Sequence, residues 1–244
     1  MNEWHSLQKA GILDLVKPDW HYADIGASVG AMTDVYKPLM ERGYLFDASS
    51  LNYNFLKQKY GDTASLVINH AAASDEDGTA NFSINLNDPA VGSLAGTLPS
   101  RITKAYFNPV GGRPPYQEKI EVVKTITLDT YFKNKRIDFI KVDAEGAEWR
   151  ILKGAKDIMS QRSIVFQIEF HWDEHWDQRS ILEEVGYNIY TSKDWMGGNE
   201  SQTAFSEGFF KLDPSAFRKL PSESPRPYQA LVAKGDWALS PLLN

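Results

Sequence analysis

The chain of 244 residues contains no cysteine. That excludes disulfides, thiolate metal clusters and a cysteine nucleophile, and with them the small secreted disulfide scaffold, so the cytoplasm is the default compartment. The chain also lacks any apolar run near the roughly 18 residues that a membrane-spanning helix needs, and Met1 to Trp20 has no signal-peptide core. A soluble protein with no membrane span is expected. There is no block of Lys or Arg either: 26 basic against 32 acidic residues give a formal charge of −6. Proteins that grip long nucleic acid through its phosphates carry a basic stripe, so no nucleic-acid partner is expected. What is present, 42% hydrophobic and 24% charged residues, is globular composition with enough apolar material for one core. The length fits a single domain over 1–244.

Hydrophobic spacing predicts a leading helix over Ser6–Val16, ended by Lys17-Pro18-Asp19. A strand over Tyr22–Ile25 then enters a glycine turn and a helix over Ala31–Arg42. The pattern repeats with a strand at Tyr44–Asp47, a helix at Leu51–Tyr60 and a strand at Ser65–Ala71. It lapses after Gly78, where Thr79–Ile84 and Ile120–Ile126 read as short strands flanking Asn87–Gln117, a stretch rich in Gly, Pro, Ser and Asn. So long a stretch without periodicity is expected to be a lid or binding loop, or else a mobile insertion. Alternation resumes with helices over Leu128–Lys133, Ala147–Met159 and Ser180–Val185, and strands over Ile137–Asp143, Ser163–Phe170 and Tyr187–Thr191. This order implies a parallel sheet with helices on both faces. At the end, Gly208–Leu212 and Tyr228–Ala233 around a helix at Pro214–Leu220 suggest an antiparallel pair closing one edge.

In such a sheet ligands bind beyond the carboxyl ends of the strands, so strand ends are where chemistry is sought. The first ends in Asp24-Ile25-Gly26-Ala27-Ser28-Val29-Gly30. Its glycines allow close approach of a ligand, and the following helix directs N–H groups at a negative group, although a plain tight turn explains two glycines equally well. A nicotinamide-dinucleotide fingerprint wants G-x-G-x-x-G; here position 28 is Ser and position 31 is Ala. Asp47, ending the second strand, stands where a carboxylate takes both hydroxyls of a nucleoside ribose, or where it simply forms a turn.

The most specific segment is Ile137-Asp138-Phe139-Ile140-Lys141-Val142-Asp143-Ala144-Glu145-Gly146-Ala147-Glu148. Alternation puts Lys141, Asp143 and Glu145 on one side of the strand, opposite Ile140 and Val142. Charges in a buried strand are costly unless paired, which suggests either a polar cleft or an internal ion pair that holds strand and helix together. In Ser163–His171, parity groups Gln167, Glu169 and His171. Glu169 and His171 then emerge beside Asp143, where an imidazole oriented by a carboxylate removes a proton from a hydroxyl. Asp143, Glu169 and His171 also form an oxygen-rich set suited to Mg²⁺. Trp172, Trp176 and Trp195 are either apolar faces for a sugar ring or core.

Together these segments resemble the FkbM-type S-adenosylmethionine-dependent methyltransferases, a branch of the class I Rossmann-like enzymes. The resemblance rests on Asp24–Gly30, Thr127-Leu128-Asp129, the Ile137–Glu148 run, Leu152-Lys153-Gly154-Ala155, the Glu169 strand end and Leu182–Tyr187. It covers roughly Tyr22 to Thr191. Members usually carry Asn where this chain has Ser28, and Glu where it has Asp47. The resemblance implies a Rossmann-like three-layer α/β sandwich with a mostly parallel seven-stranded sheet and an antiparallel edge. It implies S-adenosyl-L-methionine as cofactor, with Asp24, Gly26, Ala27 and Gly30 around its methionine part, Asp47 at its ribose, and His70 and Ala71 at its adenine. The activity it implies is methyl transfer to a hydroxyl of a sugar, glycan or glycosylated metabolite, with Lys141, Asp143, Glu169 and His171 as the catalytic set and Mg²⁺ on Asp143 and Glu169 as an optional aid. The alternative is a non-catalytic Rossmann-like module that binds a nucleotide or glycan.

Overall fold

A computed structural model describes residues 16–87, 92–94, 117–169, 175–191, 218–219 and 229–234. In chain order the elements are β1 (His21–Ile25), α1 (Ala31–Tyr36), β2 (Arg42–Asp47), α2 (Ser50–Tyr60), β3 (Leu66–His70), β4 (Ala72–Ala73), β5 (Gly78–Asn85), β6 (Gly92–Leu94) and β7 (Glu118–Ile126). There follow α3 (Leu128–Phe132), β8 (Phe139–Val142), α4 (Glu148–Lys153), α5 (Lys156–Gln161), β9 (Val165–Glu169), α6 (His175–Glu184), β10 (Tyr187–Thr191), β11 (Arg218–Lys219) and β12 (Gln229–Lys234). All but the last residue of the predicted leading helix, and the predicted strand at Gly208–Leu212, lie outside the described residues.

The main sheet runs β11-β10-β12-β9-β8-β1-β2-β3. Its β9-β8-β1-β2-β3 part is parallel throughout, as strand-helix alternation requires. The Rossmann-like three-layer arrangement stands, with two differences of detail. The antiparallel pairing lies at one edge, β11-β10-β12, with β12 inserted between β9 and β10 rather than outermost. The eighth strand is β11, which pairs with β10 where a helix over Pro214–Leu220 is predicted.

Parity along the strands sorts the core into layers. Ala23, Ile25, Phe46, Ile140, Val142, Phe166 and Ile168 pack with Leu128, Phe132, Ile151, Leu152 and Ile158 from α3, α4 and α5. On the other face Tyr22, Phe139 and Val165 meet Met32, Val35 and Tyr36 of α1, and Leu45 meets Leu56 and Tyr60 of α2. Two predicted helices are shorter than their hydrophobic spacing suggests. The first stops at Tyr36, with Lys37 still helical in backbone as its C-cap, because Pro38 has no N–H to continue the helix. The predicted helix over Ala147–Met159 divides at Gly154-Ala155 into α4 and α5. There the backbone of Ser74 lies so close that a Cβ on Gly154 would stand 2.0 Å from the Ser74 carbonyl oxygen, and the Asp129 carboxylate accepts the Asp157 and Ile158 N–H groups at the start of α5.

The segment between β3 and α3 forms a second sheet, β4-β7-β5-β6, whose inner face (Ala72, Phe82, Ile84, Leu94 and Val123) packs on Ala48 and Ala147 at the carboxyl end of the main sheet. Within Asn87–Gln117 the described residues are Asn87, β6 and Gln117. The two ends meet: Leu86 N–H donates to the Gln117 carbonyl, and Asn85 Oδ1 accepts the Asn87 and Gln117 N–H groups. Among the described residues no helix is long and apolar enough to cross a membrane.

Candidate cofactor site

The chain winds outward from β1 through β2 to β3, then returns to lay β8 on the other side of β1. A crevice opens where strand order reverses in this way. Here it is a cavity of about 260 Å³, near the lower end of the roughly 300–1,000 Å³ common for small-molecule sites. Its walls are the turn Gly26–Val29, the β2 end with Asp47 and Ala48, Asn52 of α2, Ala71–Ala73, and the β8 exit with Lys141, Asp143, Ala144 and Glu145. Phe82, Gly92 and Leu94 of the second sheet roof it.

The glycine turn is stitched to its surroundings. The Gly26 and Ala27 N–H groups both donate to Phe46 O, Gly30 N–H donates to Ala27 O, and Ser28 N–H donates to Asp47 Oδ2 at 2.7 Å. Those four amides are therefore occupied within the protein, and α1 has only six residues. Gly26 has φ +73° and Gly30 φ +77°. A Cβ on Gly30 would stand 2.6 Å from the Tyr60 ring, whose hydroxyl donates to Gly30 O and Asp34 Oδ1.

Asp47 is 6% exposed. Its second oxygen accepts from Ser49 N–H at 2.9 Å and Asn52 Nδ2 at 3.3 Å. Burial pushes its carboxyl up to about 6, against the pull of the Ser28, Ser49 and Asn52 donors. A carboxylate offers about four lone-pair sites; with these three donors in place about one remains, on Oδ2, for a ligand hydroxyl.

Of the residues expected around the methionine part, Gly26 and Ala27 line the cavity, whereas Gly30 and Asp24 are not among the lining residues. Asp24 is fully buried and lies beneath the turn, accepting from the Thr33 hydroxyl at 2.7 Å. Lys141, also buried, donates to the Gly26 carbonyl at 2.9 Å and stands 3.4 Å from both Asp24 and Asp143. Burial raises the Asp24 carboxyl, with the Lys141 charge opposing it; for Lys141, burial acts against the ammonium but Asp143 and Asp24 outweigh it and hold it above its ordinary value. The expected parity is thus present, and the polar side carries a buried ion-pair row.

Of the remaining expected residues, Ala71 lines the cavity. His70 stacks on Tyr53 with ring centroids 4.7 Å apart and its Nε2 lies 3.1 Å from Ala48 O. Glu169 is buried at the end of β9, beside Gln229 of β12, and is not among the residues lining the cavity. His171, Trp172 and Trp195, like the side chain of Trp176, lie outside the described residues. Among the described residues no three His, Asp or Glu side chains gather to hold a metal, so the Mg²⁺ expectation gains no donor set; the Asp143 carboxylate is engaged by Lys141 instead. Residue-by-residue reading missed Asn52, Phe82 and Leu94. Asn52 had a local signal, lying three residues after the Ser49 that caps α2, whereas Phe82 and Leu94 reach the cavity only through sheet pairing.

A model of the methyltransferase FkbM domain matches residues 24–189. The chain belongs to the FkbM methyltransferase family. Solved structures similar to it include the methyltransferase FkbM from Methylobacillus flagellatus KT, 16% identical over 89% of this chain with a TM-score of 0.49; this chain covers 44% of that protein. A putative methyltransferase from Streptococcus mutans in complex with S-adenosylhomocysteine is 8% identical, over 94% of this chain and 96% of that one, TM-score 0.46. The magnesium protoporphyrin IX methyltransferase from Synechocystis PCC 6803 with bound S-adenosylmethionine is 11% identical, over 96% and 79%, TM-score 0.44. No curated protein matches the chain. S-adenosylmethionine is the cofactor of this family, and the residues present fit it: the buried Asp47 carboxylate stands on the cavity wall beside the Gly26–Val29 turn, with the apolar Ala71–Ala73, Phe82 and Leu94 on the same cavity.

Proposed function

We propose that the protein is an S-adenosylmethionine-dependent O-methyltransferase acting on a hydroxyl of a sugar, glycan or glycosylated metabolite. The observation that carries the reading is Asp47, held by three donors on the wall of a cavity beside a turn whose Gly26, Ala27, Ser28 and Gly30 amides are occupied. A site built this way suits a nucleoside with a free diol and no phosphate at the turn, which separates it from a dinucleotide site. A bound sulfonium cofactor supplies an electrophilic methyl group whose bonding pair stays on sulfur when a hydroxyl oxygen attacks in line. Gly26 lets the β8 exit with Asp143 pack against the turn, Asp47 fixes the ribose, and Ala71–Ala73 with Phe82 and Leu94 give an apolar surface for the adenine. Asp143, on the cavity wall, is assigned the proton of the attacking hydroxyl. Lys141 acts through Asp143 and the Gly26 carbonyl as a positioning residue, and most of the acceleration comes from alignment of oxygen, carbon and sulfur.

Calorimetric titration with S-adenosylhomocysteine and with NAD tests the cofactor, and transfer of labelled methyl to nucleotide sugars, polysaccharide fragments and glycolipids tests the acceptor. Binding of the first ligand alone, with label in at least one glycan, is expected; heat from neither ligand sinks the enzymatic reading.

Asp47 adds a pH signature. A ribose hydroxyl donates to the ionised carboxylate, so binding favours the form that the free protein populates above its value of about 6. S-Adenosylhomocysteine affinity should therefore fall about tenfold from pH 7 to pH 5. The free protein has the opposite slope: with a folded value raised above 3.8, the stability Asp47 contributes is complete below pH 3.8 and lost as pH rises through about 6. Asp47→Asn should weaken binding at pH 7 about 10- to 100-fold, the worth of hydrogen bonds to a charged group, and flatten the profile. A wild-type profile already flat between pH 5 and 7 would reassign the ribose.

A further inference from the structure

We propose that Glu145 is a charge-reading residue of the cavity, one that makes the site hold a sulfonium cofactor more tightly than the neutral thioether left after methyl transfer; this rests on the cofactor reading above. Glu145 lines the cavity with φ +52°, in the left-handed region that side chains other than Gly, Asn and Asp rarely adopt. Its surroundings over-determine that conformation. The Glu148 carboxylate accepts the Ala144 N–H at 2.7 Å and the Gly146 N–H at 3.0 Å, one on each side of Glu145. From the second sheet, the Ser93 hydroxyl donates to the Glu145 carbonyl at 2.9 Å. A strained residue held from two sheets on a cavity wall is the pattern of a functional position, since strain persists only where neighbours impose it.

The charges around it point to what is read. Among the described residues the cavity wall carries three carboxylates, Asp47, Asp143 and Glu145, and one ammonium, Lys141. That ammonium is shared between Asp143 and the buried Asp24. The loop bearing Glu145 is pressed on the glycine turn, where a Cβ on Gly26 would stand 1.9 Å from the Asp143 carbonyl oxygen, so a ligand lying along the turn lies along this loop as well. S-Adenosylmethionine and S-adenosylhomocysteine share every group except the methyl and its positive charge, so a carboxylate on this loop separates them by charge alone. The consequence is release of spent cofactor without a change of shape.

The test is titration of the full chain with each of these two compounds at low ionic strength, for wild type, Glu145→Gln and Glu145→Gly. Wild type is expected to prefer the sulfonium about tenfold, a preference that shrinks as salt is added. Glu145→Gln should bring the ratio to about twofold while leaving thioether affinity within about twofold of wild type. Glycine accepts the left-handed backbone without strain, so Glu145→Gly keeps the loop folded and should lose the same preference. A ratio unchanged in both variants, or both affinities falling together, overturns the proposal. Wild type that binds the thioether without preferring the sulfonium overturns it and leaves the cofactor reading intact; wild type that binds neither removes both.

Discussion

Gly26→Ala should lower stability by about 4 kcal/mol or more, a loss at the exceptional end of single substitutions, and abolish S-adenosylhomocysteine binding in whatever folded protein remains. Two costs combine. The first is backbone strain, because Gly26 has φ +73° and a Cβ in the left-handed region costs about 1 to 2 kcal/mol. The second is collision: the new Cβ would stand 1.9 Å from the Asp143 carbonyl oxygen and 3.0 Å from its carbonyl carbon. Neither neighbour is a flexible side-chain tip, so β1 and the β8 exit must part where Asp143 N–H bonds the Ile25 carbonyl. Gly186→Ala is the control, since Gly186 has φ +81° and nothing within 4 Å of its added Cβ; it should show the strain alone. For a chain of this length the difference between the two variants corresponds to about 4 to 12 °C in Tm, read by thermal denaturation. Equal losses would mean that close approach of the two strand ends is not what position 26 requires.

The parts of this fold legible in the sequence are those set by local periodicity. Strand parity placed Lys141 and Asp143 on one side and Ile140 and Val142 on the other, and the structure shows the ion pair and the apolar core on those two sides. What periodicity could not reveal was where packing interrupts a pattern. Pro38 was a readable stop to α1, but Gly154 divides α4 from α5 only because the Ser74 backbone, eighty residues earlier, packs on it. The second sheet was visible as two short strands, yet its place over the cavity depends on pairing between residues as distant as Gly78 and Thr125. Phe82 and Leu94 therefore carried no local signal. Asp24 shows the limit in another direction. Its position before the turn suggested ligand contact, whereas the fold buries it one layer below, where it fixes the turn through Lys141.

That buried layer makes Lys141→Met the other variant with a large expected effect, about 3 to 5 kcal/mol at pH 7, because removing one partner of a buried pair leaves the remaining charge uncompensated. Three losses coincide: the Gly26 carbonyl loses its donor at 2.9 Å, and Asp24 and Asp143 each lose the cation at 3.4 Å. Methionine fills the space of the lysine stem, so the loss reports charge rather than a cavity. The pH dependence gives the cause away. Burial already raises the Asp24 carboxyl in the wild type against the pull of Lys141, and without the ammonium it rises further. Stability contributed by a carboxyl raised on folding is complete below its unfolded value and lost as pH rises through its folded value. The variant should accordingly recover part of its deficit as pH falls below 7 and Asp24 takes up a proton. Asp24→Asn in the Lys141→Met background removes the stranded charge and should restore about half of the loss at pH 7, a coupling that a double-mutant cycle measures. If the Lys141→Met deficit is the same at pH 5 and pH 8, the stranded Asp24 charge is not its source.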